Sequence, residues 1–240
     1  MNKDTFISEL EKLNINIDDS KLEKLNKYAE FLIEYNKHTN LTAITDLNDI
    51  YLKHFYDSLT IIRDIDLNKI DSMIDVGTGA GFPGMVLKII FPHLKVTLLD
   101  SNNKKTKFLS ELVNLLNLDN VSIINERSED YARKNLDSYD LVTSRAVTTL
   151  PALVELCLPL VKENGYFIPL KGDAKEEISV STNIIKKLNG SIESIDEFNL
   201  PIENAKRTII KIKKVGLTPK GYPRNYASIK KDVEKILKIK

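Results

Sequence analysis

The chain has 240 residues, of which 42% are hydrophobic and 29% charged, as in an ordinary globular protein with one large α/β domain and an appendage. The single cysteine, Cys157, excludes an intramolecular disulfide, and the three histidines lie far apart, so we expect no metal site. The polar start, residues 1–4, does not resemble a signal peptide. Charged residues such as Lys88 interrupt the long apolar runs, so we expect no membrane span and a cytoplasmic location.

Charge is distributed unevenly along the chain. The formal net charge is only +1, but residues 206–240 hold 12 Lys or Arg and 2 Asp or Glu, a local +10 on a body of −9. Such a basic end could bind a phosphate backbone. It could equally be a solvated, lysine-rich terminal helix, and the composition does not decide between the two.

Residues 1–65 predict an N-terminal helical subdomain, because apolar side chains recur there at helical spacing. Ser20 followed by Glu23 predicts a capping box at the start of the second helix. A third helix is expected to begin near Asp46 and to carry one row of side chains inward. That row consists of Ile50, Tyr51, His54 and Ser58.

Residues 66–214 predict a Rossmann-like core, in which short apolar runs alternate with amphipathic helices. The predicted strands are Met73–Val76, Lys95–Leu99, Val121–Ile124, Leu141–Thr143, Tyr166–Leu170, Ser191–Phe198 and Thr208–Ile212. The predicted helices are 83–91, 103–116, 128–134, 149–161 and 175–188. We expect a seven-stranded, mostly parallel sheet with helices on both faces, and a reversed last strand because residues 199–201 are too short for a crossover. Residues 215–240 predict a basic C-terminal tail or helix.

The segment DVGTGAGFPG, residues 75–84, is the most informative part of the chain. It follows a predicted strand and precedes a predicted helix. Glycines in such a turn adopt positive φ and let backbone amides approach a ligand closely. We therefore predict that Gly77, Gly79 and Gly81 hold a cofactor rather than form an empty tight turn.

A dinucleotide cofactor is the first alternative, because Gly79 to Gly84 matches the G-x-G-x-x-G pattern. Asp75 argues against it, since dinucleotide-binding strands are normally apolar two residues before the first glycine. A carboxylate at that point could instead face a ligand that carries an amine or a sulfonium. The glycine pattern also begins earlier, at Gly77.

Asp100 closes the second predicted strand. An acid in this position accepts hydrogen bonds from ribose hydroxyls in several nucleotide-binding folds. It could also merely cap the helix that begins near Asn103. After the third strand, a carboxylate and free backbone amides in residues 126–130 could recognise adenine, but for Glu126 and Asp130 a charged helix start is the preferred interpretation.

The chain resembles the bacterial methyltransferases that make 7-methylguanosine in small-subunit (16S) ribosomal RNA, historically called glucose-inhibited division protein B. The resemblance runs almost end to end. Its motifs are NLTAI at 40–44, KHFYDSL at 53–59, the DVGTGAGFPG loop, LDS at 99–101, SRAV at 144–147, LKG at 170–172 and YPR at 222–224.

This resemblance implies a Rossmann-like, S-adenosylmethionine-dependent methyltransferase whose partner is ribosomal RNA, free or within the ribosomal particle, and we expect a monomer. It implies cofactor contacts at Gly77, Phe82, Ser128, Glu129 and Arg145, beside those that the general fold gives to Gly79, Gly81 and Asp100. Lys171, Arg207 and Arg224 are candidate RNA contacts.

The expected chemistry needs no catalytic acid or base, because guanine N7 has a free lone pair and no proton to lose. Positioning and charge stabilisation would suffice. Arg145 could contact the cofactor, hydrogen-bond guanine O6, or only form a salt bridge. We expect His54 and Cys157 to be packing residues. The alternatives are a methyltransferase of another RNA, a protein or a small molecule, a nicotinamide-dependent oxidoreductase, and an inactive RNA-binding protein.

Overall fold

A computed structural model describes residues 1–238. The last two residues of the predicted basic tail, 239–240, lie outside the described part. Within the described residues, no helix is both long and apolar enough to cross a membrane.

A seven-stranded sheet forms the centre of the molecule, in the order β3-β2-β1-β4-β5-β7-β6. The strands are β1 Ser72–Val76, β2 Lys95–Leu99, β3 Val121–Ile124, β4 Tyr139–Arg145, β5 Val161–Lys171, β6 Gly190–Asn199 and β7 Lys206–Lys214. β1 to β5 pair in parallel, and β7 runs antiparallel to both β5 and β6. The Rossmann-like prediction with a reversed last strand is confirmed.

Helices cover both faces of this sheet, and each inner face is a continuous hydrophobic cluster. They are α1 Lys3–Lys12, α2 Asp19–Asn36, α3 Leu47–Asp49, α4 Asp57–Leu59, α5 Gly84–Ile90, α6 Asn103–Leu115, α7 Ser128–Lys134, α8 Leu150–Cys157, α9 Lys175–Lys187 and α10 Tyr226–Lys238. The helices α5 to α9 agree with the sequence prediction to within a few residues, because their apolar periodicity is regular.

The predicted capping box at Ser20 and Glu23 is wrong. Asp18 is the N-cap of α2, and its carboxylate accepts a hydrogen bond of 2.8 Å from the amide of Lys21. Ser20 lies within the first helical turn. Aspartate caps a helix as well as serine does, and the sequence places both near this start.

Between α3 and α4 the chain forms a π-helix, Ile50–Tyr56. Its wider turn is evident where the amide of Asp57 reaches the carbonyl of Leu52, five residues earlier. The predicted inward row there is buried, but so are Phe55 and Asp57. A π-turn shifts side chains off the 3.6-residue repeat and often marks a functional site.

The N-terminal helices pack directly on the glycine loop. The Tyr28 hydroxyl of α2 donates a 2.5 Å hydrogen bond to the carbonyl of Ala80. The Tyr28 ring stacks on Phe82, with 5.3 Å between the centroids. The helical region therefore buttresses the loop from one side.

Candidate functional site

The loop after β1 has the backbone shape that its glycines predict. Gly77, Gly79 and Gly81 have φ of +71°, +63° and +103°, all in the region that favours glycine. A Cβ atom on Gly77 would overlap Cγ2 of Val147, whereas a Cβ on Gly79 would meet nothing within 4 Å. The backbone is thus close-packed at Gly77 and open at Gly79.

Asp75 is fully buried and holds this loop in shape. Its Oδ2 accepts hydrogen bonds from the Thr78 hydroxyl (2.7 Å) and the Gly84 amide (2.8 Å). Burial raises the pKa of the Asp75 carboxyl to about 6. Asp75 does not belong to the wall of the neighbouring cavity, and a contact between its carboxylate and a ligand stays a prediction.

A first cavity of about 340 Å³ lies over the carboxyl ends of β1, β2 and β4. This edge is where open α/β sheets bind ligands, and the volume suits a small-molecule cofactor. Its lining includes Gly77, Asp100, Ser128, Arg127, Ala146 and Tyr226.

Asp100 presents its carboxylate on the wall of the first cavity. Oδ2 accepts a hydrogen bond of 3.0 Å from the Gly79 amide, and Oδ1 accepts one of 2.9 Å from the Asn102 amide. Asn102 is the N-cap of α6, so the alternative that Asp100 is only a helix cap is excluded. These oxygens keep lone pairs for hydroxyl donors.

Of the predicted cofactor contacts near α7, one lines the first cavity and one does not. Ser128 lines the first cavity, while Glu129 is buried behind it with Arg127 at 3.5 Å. Glu126 also lines the cavity and forms an ion pair with Lys134. Phe82 lies outside this wall, between Tyr28 and His54.

A second cavity of about 360 Å³ adjoins the first, and Ala146 belongs to the walls of both. Ala146 has a φ of +55°, which is strained for a residue other than glycine. The bend at Ala146 sends the preceding Arg145 into the second cavity and the following Val147 into the first.

Arg145 joins the sheet to the helical region at the second cavity. Its Nη1 donates hydrogen bonds of 3.1 Å to the Asp57 carboxylate and the Lys53 carbonyl. Its Nη2 lies 3.2 Å from Nδ1 of His54. Arg207 reaches the other oxygen of Asp57 at 2.8 Å, so one carboxylate holds two guanidinium groups.

The contacts of His54 fix its protonation. Because arginine can only donate, Nδ1 of His54 must accept, and Nε2 then carries the hydrogen toward Thr42 Oγ1 at 3.1 Å. Burial, with the charge of Arg145, lowers the pKa of His54 to about 3. The ring stacks on Phe82 at 4.2 Å, as the packing role predicts, and its edge also lines the second cavity.

The three predicted RNA contacts lie in two places. Lys171 and Arg207 line the second cavity, where Lys171 contacts the Thr148 carbonyl and Glu177, each at 2.9 Å. Arg224 lies elsewhere, in a bidentate pair with Glu155 of α8, with both distances 2.7 Å. Lys171 is not an ordinary exposed lysine, since only 12% of its side chain is exposed.

Cys157 is fully buried in α8, and burial raises the pKa of its thiol well above the ordinary value. This position agrees with the predicted packing role.

Comparison with known proteins decides the family. Residues 21–206 match the model of the GidB family, described as rRNA small subunit methyltransferase G. The chain belongs to this family. Proteins named ribosomal RNA small subunit methyltransferase G are 47% identical in Bacillus licheniformis and 46% identical in Bacillus subtilis, each over 93% of this chain and 95% of the relative. A namesake in Acetivibrio thermocellus is 48% identical over 88% of this chain and 87% of its own.

Solved structures support the fold independently. A methyltransferase dependent on S-adenosylmethionine from Aquifex aeolicus superposes with a TM-score of 0.51 at 19% identity, over 71% of this chain and 94% of its own. An O-methyltransferase of the same cofactor class from Thermotoga maritima gives 0.50 at 17%, over 79% and 73%. The chain therefore has the Rossmann-like methyltransferase fold.

Asp57 and Tyr226 are among the cavity residues that the sequence analysis did not predict. Asp57 lies within a motif that was noted, but nothing in its spacing indicates two arginines, which come from 88 and 150 residues away. Tyr226 begins a helix in a region interpreted only by its charge. Neither residue has a local signal, because each acts through tertiary contacts.

Proposed function

We propose that the chain transfers the methyl group of S-adenosylmethionine to N7 of a guanine in small-subunit (16S) ribosomal RNA. The observation that carries the proposal is the junction of two cavities at Ala146, one lined by Asp100 and the glycine loop, the other by arginine and lysine side chains. Membership of the rRNA small subunit methyltransferase G family supplies the substrate class.

The first cavity is the proposed cofactor site, and its donor set fits a nucleoside with a charged tail. Asp100 would accept hydrogen bonds from ribose hydroxyls, and the backbone at Gly77 and Gly79 would follow the ligand closely. Ser128 belongs to the same wall. The cofactor supplies an electrophilic methyl group on a sulfonium.

Four further cofactor contacts stay predictions. Gly81, Phe82 and Glu129 do not line the first cavity, and Arg145 lies on the wall of the second. The proposed role of Gly81, Phe82 and Glu129 is to hold the loop and α7 in position beside the ligand, whereas Arg145 would act from the second cavity.

The second cavity is the proposed guanine site. Among the described residues, the contacts of Arg145 use three of its five N–H groups, so two stay for an acceptor such as guanine O6. Lys171 and Arg207 would neutralise nearby phosphate. Arg224 is the weakest RNA candidate, because Glu155 and Asp232 already engage its guanidinium.

No residue in either cavity is needed to remove a proton, since N7 carries none. Catalysis would come from alignment of the two ligands across Ala146 and from fixed dipoles around the purine. His54, held neutral, contributes position rather than acid–base chemistry. We further propose that the protein acts as a monomer in the cytoplasm, on RNA that is free or within the ribosomal particle. The proposed boundaries of the helical subdomain, the methyltransferase core and the C-terminal segment lie at residues 65 and 214.

The test is methyl transfer followed by mass-spectrometric analysis of nucleosides. Protein and S-adenosylmethionine are incubated with small-subunit RNA, free and within subunits, from a strain that lacks the modification. We expect 7-methylguanosine, lost in Arg145→Ala and retained in Lys12→Ala, a control whose side chain is 65% exposed. Binding of S-adenosylhomocysteine without methylation of either RNA would overturn the substrate and leave another RNA, a protein or a small molecule.

A further inference from the structure

The C-terminal segment supplies a residue to the first cavity. The family model ends at residue 206, yet Tyr226, at the start of α10, belongs to the cavity wall together with Asp100 and Ser128. Tyr226 is half-buried, and its ring packs against the hydrophobic cluster beneath α8. A part of the chain beyond the family model therefore shapes the proposed cofactor site.

Strong contacts fix this segment in place. Arg224 forms a bidentate pair with Glu155, a residue only 1% exposed, and the Arg224 amide also donates to that carboxylate at 3.1 Å. Nε of Arg133, in α7, donates a 3.1 Å hydrogen bond to the Pro223 carbonyl. Ile229, one turn into α10, is 1% exposed. Tyr226 is thus anchored on both sides of its position in the sequence.

The surroundings of Tyr226 indicate which part of a ligand it meets. The guanidinium of Arg127 lies 5.3 Å from the centre of its ring, a cation–π arrangement. Arg127 directly precedes Ser128, and both residues line the cavity with Asp100, whose carboxylate suits ribose hydroxyls. A flat aromatic wall next to a ribose acceptor suits a purine base.

We propose that Tyr226 contacts the adenosine half of S-adenosylmethionine, so that the C-terminal segment completes the cofactor site. This inference rests on the proposed function, which supplies the cofactor. The ring, rather than the hydroxyl, makes the contact.

The chain contains no tryptophan, which allows a direct test. Tyr226→Trp places a single indole at the proposed contact, and Tyr166→Trp places one on β5, where a half-buried tyrosine lies outside the cavity. S-adenosylhomocysteine is titrated into each full-length variant, with binding measured by calorimetry. We expect the fluorescence of Tyr226→Trp alone to change, with the midpoint that calorimetry gives. Binding without a fluorescence change in that variant would overturn the contact.

Affinity provides the second readout. Removing a base-stacking ring weakens binding by about fivefold or more, so Tyr226→Ala should raise the dissociation constant by that factor, while Tyr226→Phe and Tyr166→Ala should not. Unchanged affinity in Tyr226→Ala, or equal weakening in Tyr226→Phe, would refute the ring contact. If the unaltered protein fails to bind S-adenosylhomocysteine, the proposed cofactor itself is wrong. If it binds, a negative result with the variants concerns only the proposed contact of Tyr226.

Discussion

Asp57 lies 3.1 Å from the guanidinium of Arg145, and this pair ties the π-helical region to the end of β4. Only 5% of the Asp57 side chain and 13% of the Arg145 side chain is exposed. A second arginine, Arg207, shares the same carboxylate. The geometry of the second cavity therefore depends on one buried aspartate.

Asp57→Asn should impair methyl transfer without impairing cofactor binding, and so distinguish the functions of the two proposed cavities. Loss of the charge weakens two charge-assisted hydrogen bonds, each worth about 1.5–3 kcal/mol, so we expect methyl transfer to fall about tenfold or more. Binding of S-adenosylhomocysteine should stay nearly unchanged, because Asp57 does not line the first cavity. The matched control is Asp196→Asn, which loses the more exposed pair with Arg63. Equal loss of cofactor binding and methyl transfer would contradict the assignment.

Gly77→Ala should weaken cofactor binding, since the new Cβ would overlap the Val147 side chain and Gly77 has a φ of +71°. Gly221→Ala is the control, because its φ is also positive, its Cβ would meet nothing within 4 Å, and Gly221 does not line the first cavity. The control should lose only about 1–2 kcal/mol of conformational free energy. Calorimetric titration with S-adenosylhomocysteine measures both variants, and equal affinities would show that the Val147 contact is unimportant.

His54 should make the protein less stable in acid. Its pKa is lowered to about 3 in the folded state, against about 6.5 when unfolded, so the unfolded chain takes up the proton first. The free energy of unfolding should fall relative to His54→Gln as the pH drops from about 6.5 toward 3, by up to about 1.4 kcal/mol per unit.

Asp75 acts with the opposite sign in the same range. Its pKa is raised to about 6, so the stability that it contributes is present at low pH and is lost as the pH rises through about 6. Because Asp75 is present in both proteins, its effect cancels in the difference between the wild type and His54→Gln. Urea unfolding at several pH values measures this difference, and a constant value would refute the buried neutral histidine.

Arg224→Ala should destabilise the fold by about 3 kcal/mol or more, because it leaves Glu155 buried without its partner. The double variant Glu155→Leu/Arg224→Leu should lose less. Arg63→Ala, at a half-exposed pair, should cost only about 0–1 kcal/mol. Denaturant unfolding provides these values. Unchanged stability of Arg224→Ala, combined with a smaller salt dependence of RNA binding, would instead support an RNA contact.

The sequence predicts the core best where apolar periodicity and glycine chemistry are local. β2 and β3 agree residue for residue with their predictions, and the loop at Gly77 has the expected backbone. The π-helix beginning at Ile50 could not be predicted, because its side chains do not follow a 3.6-residue repeat.

The candidate site is predictable only in part, for a related reason. Gly77, Asp100 and Ser128 belong to one cavity because parallel strands end at the same edge of the sheet. The partners of Arg145 and Arg224 depend on the tertiary packing of distant segments. A sequence pattern does not indicate which distant segments lie close together in space.

The pairing of Asp57 with Arg207 spans 150 residues and constrains how the molecule is made. A ribosome must reach β7 before the second arginine exists, well after it has synthesised the glycine loop. Contacts of such sequence separation form late, since the chain between them must first be ordered. A prematurely terminated chain would thus carry the glycine loop without a finished second cavity. Such a fragment would also lack Tyr226, so neither of the two proposed sites would be complete.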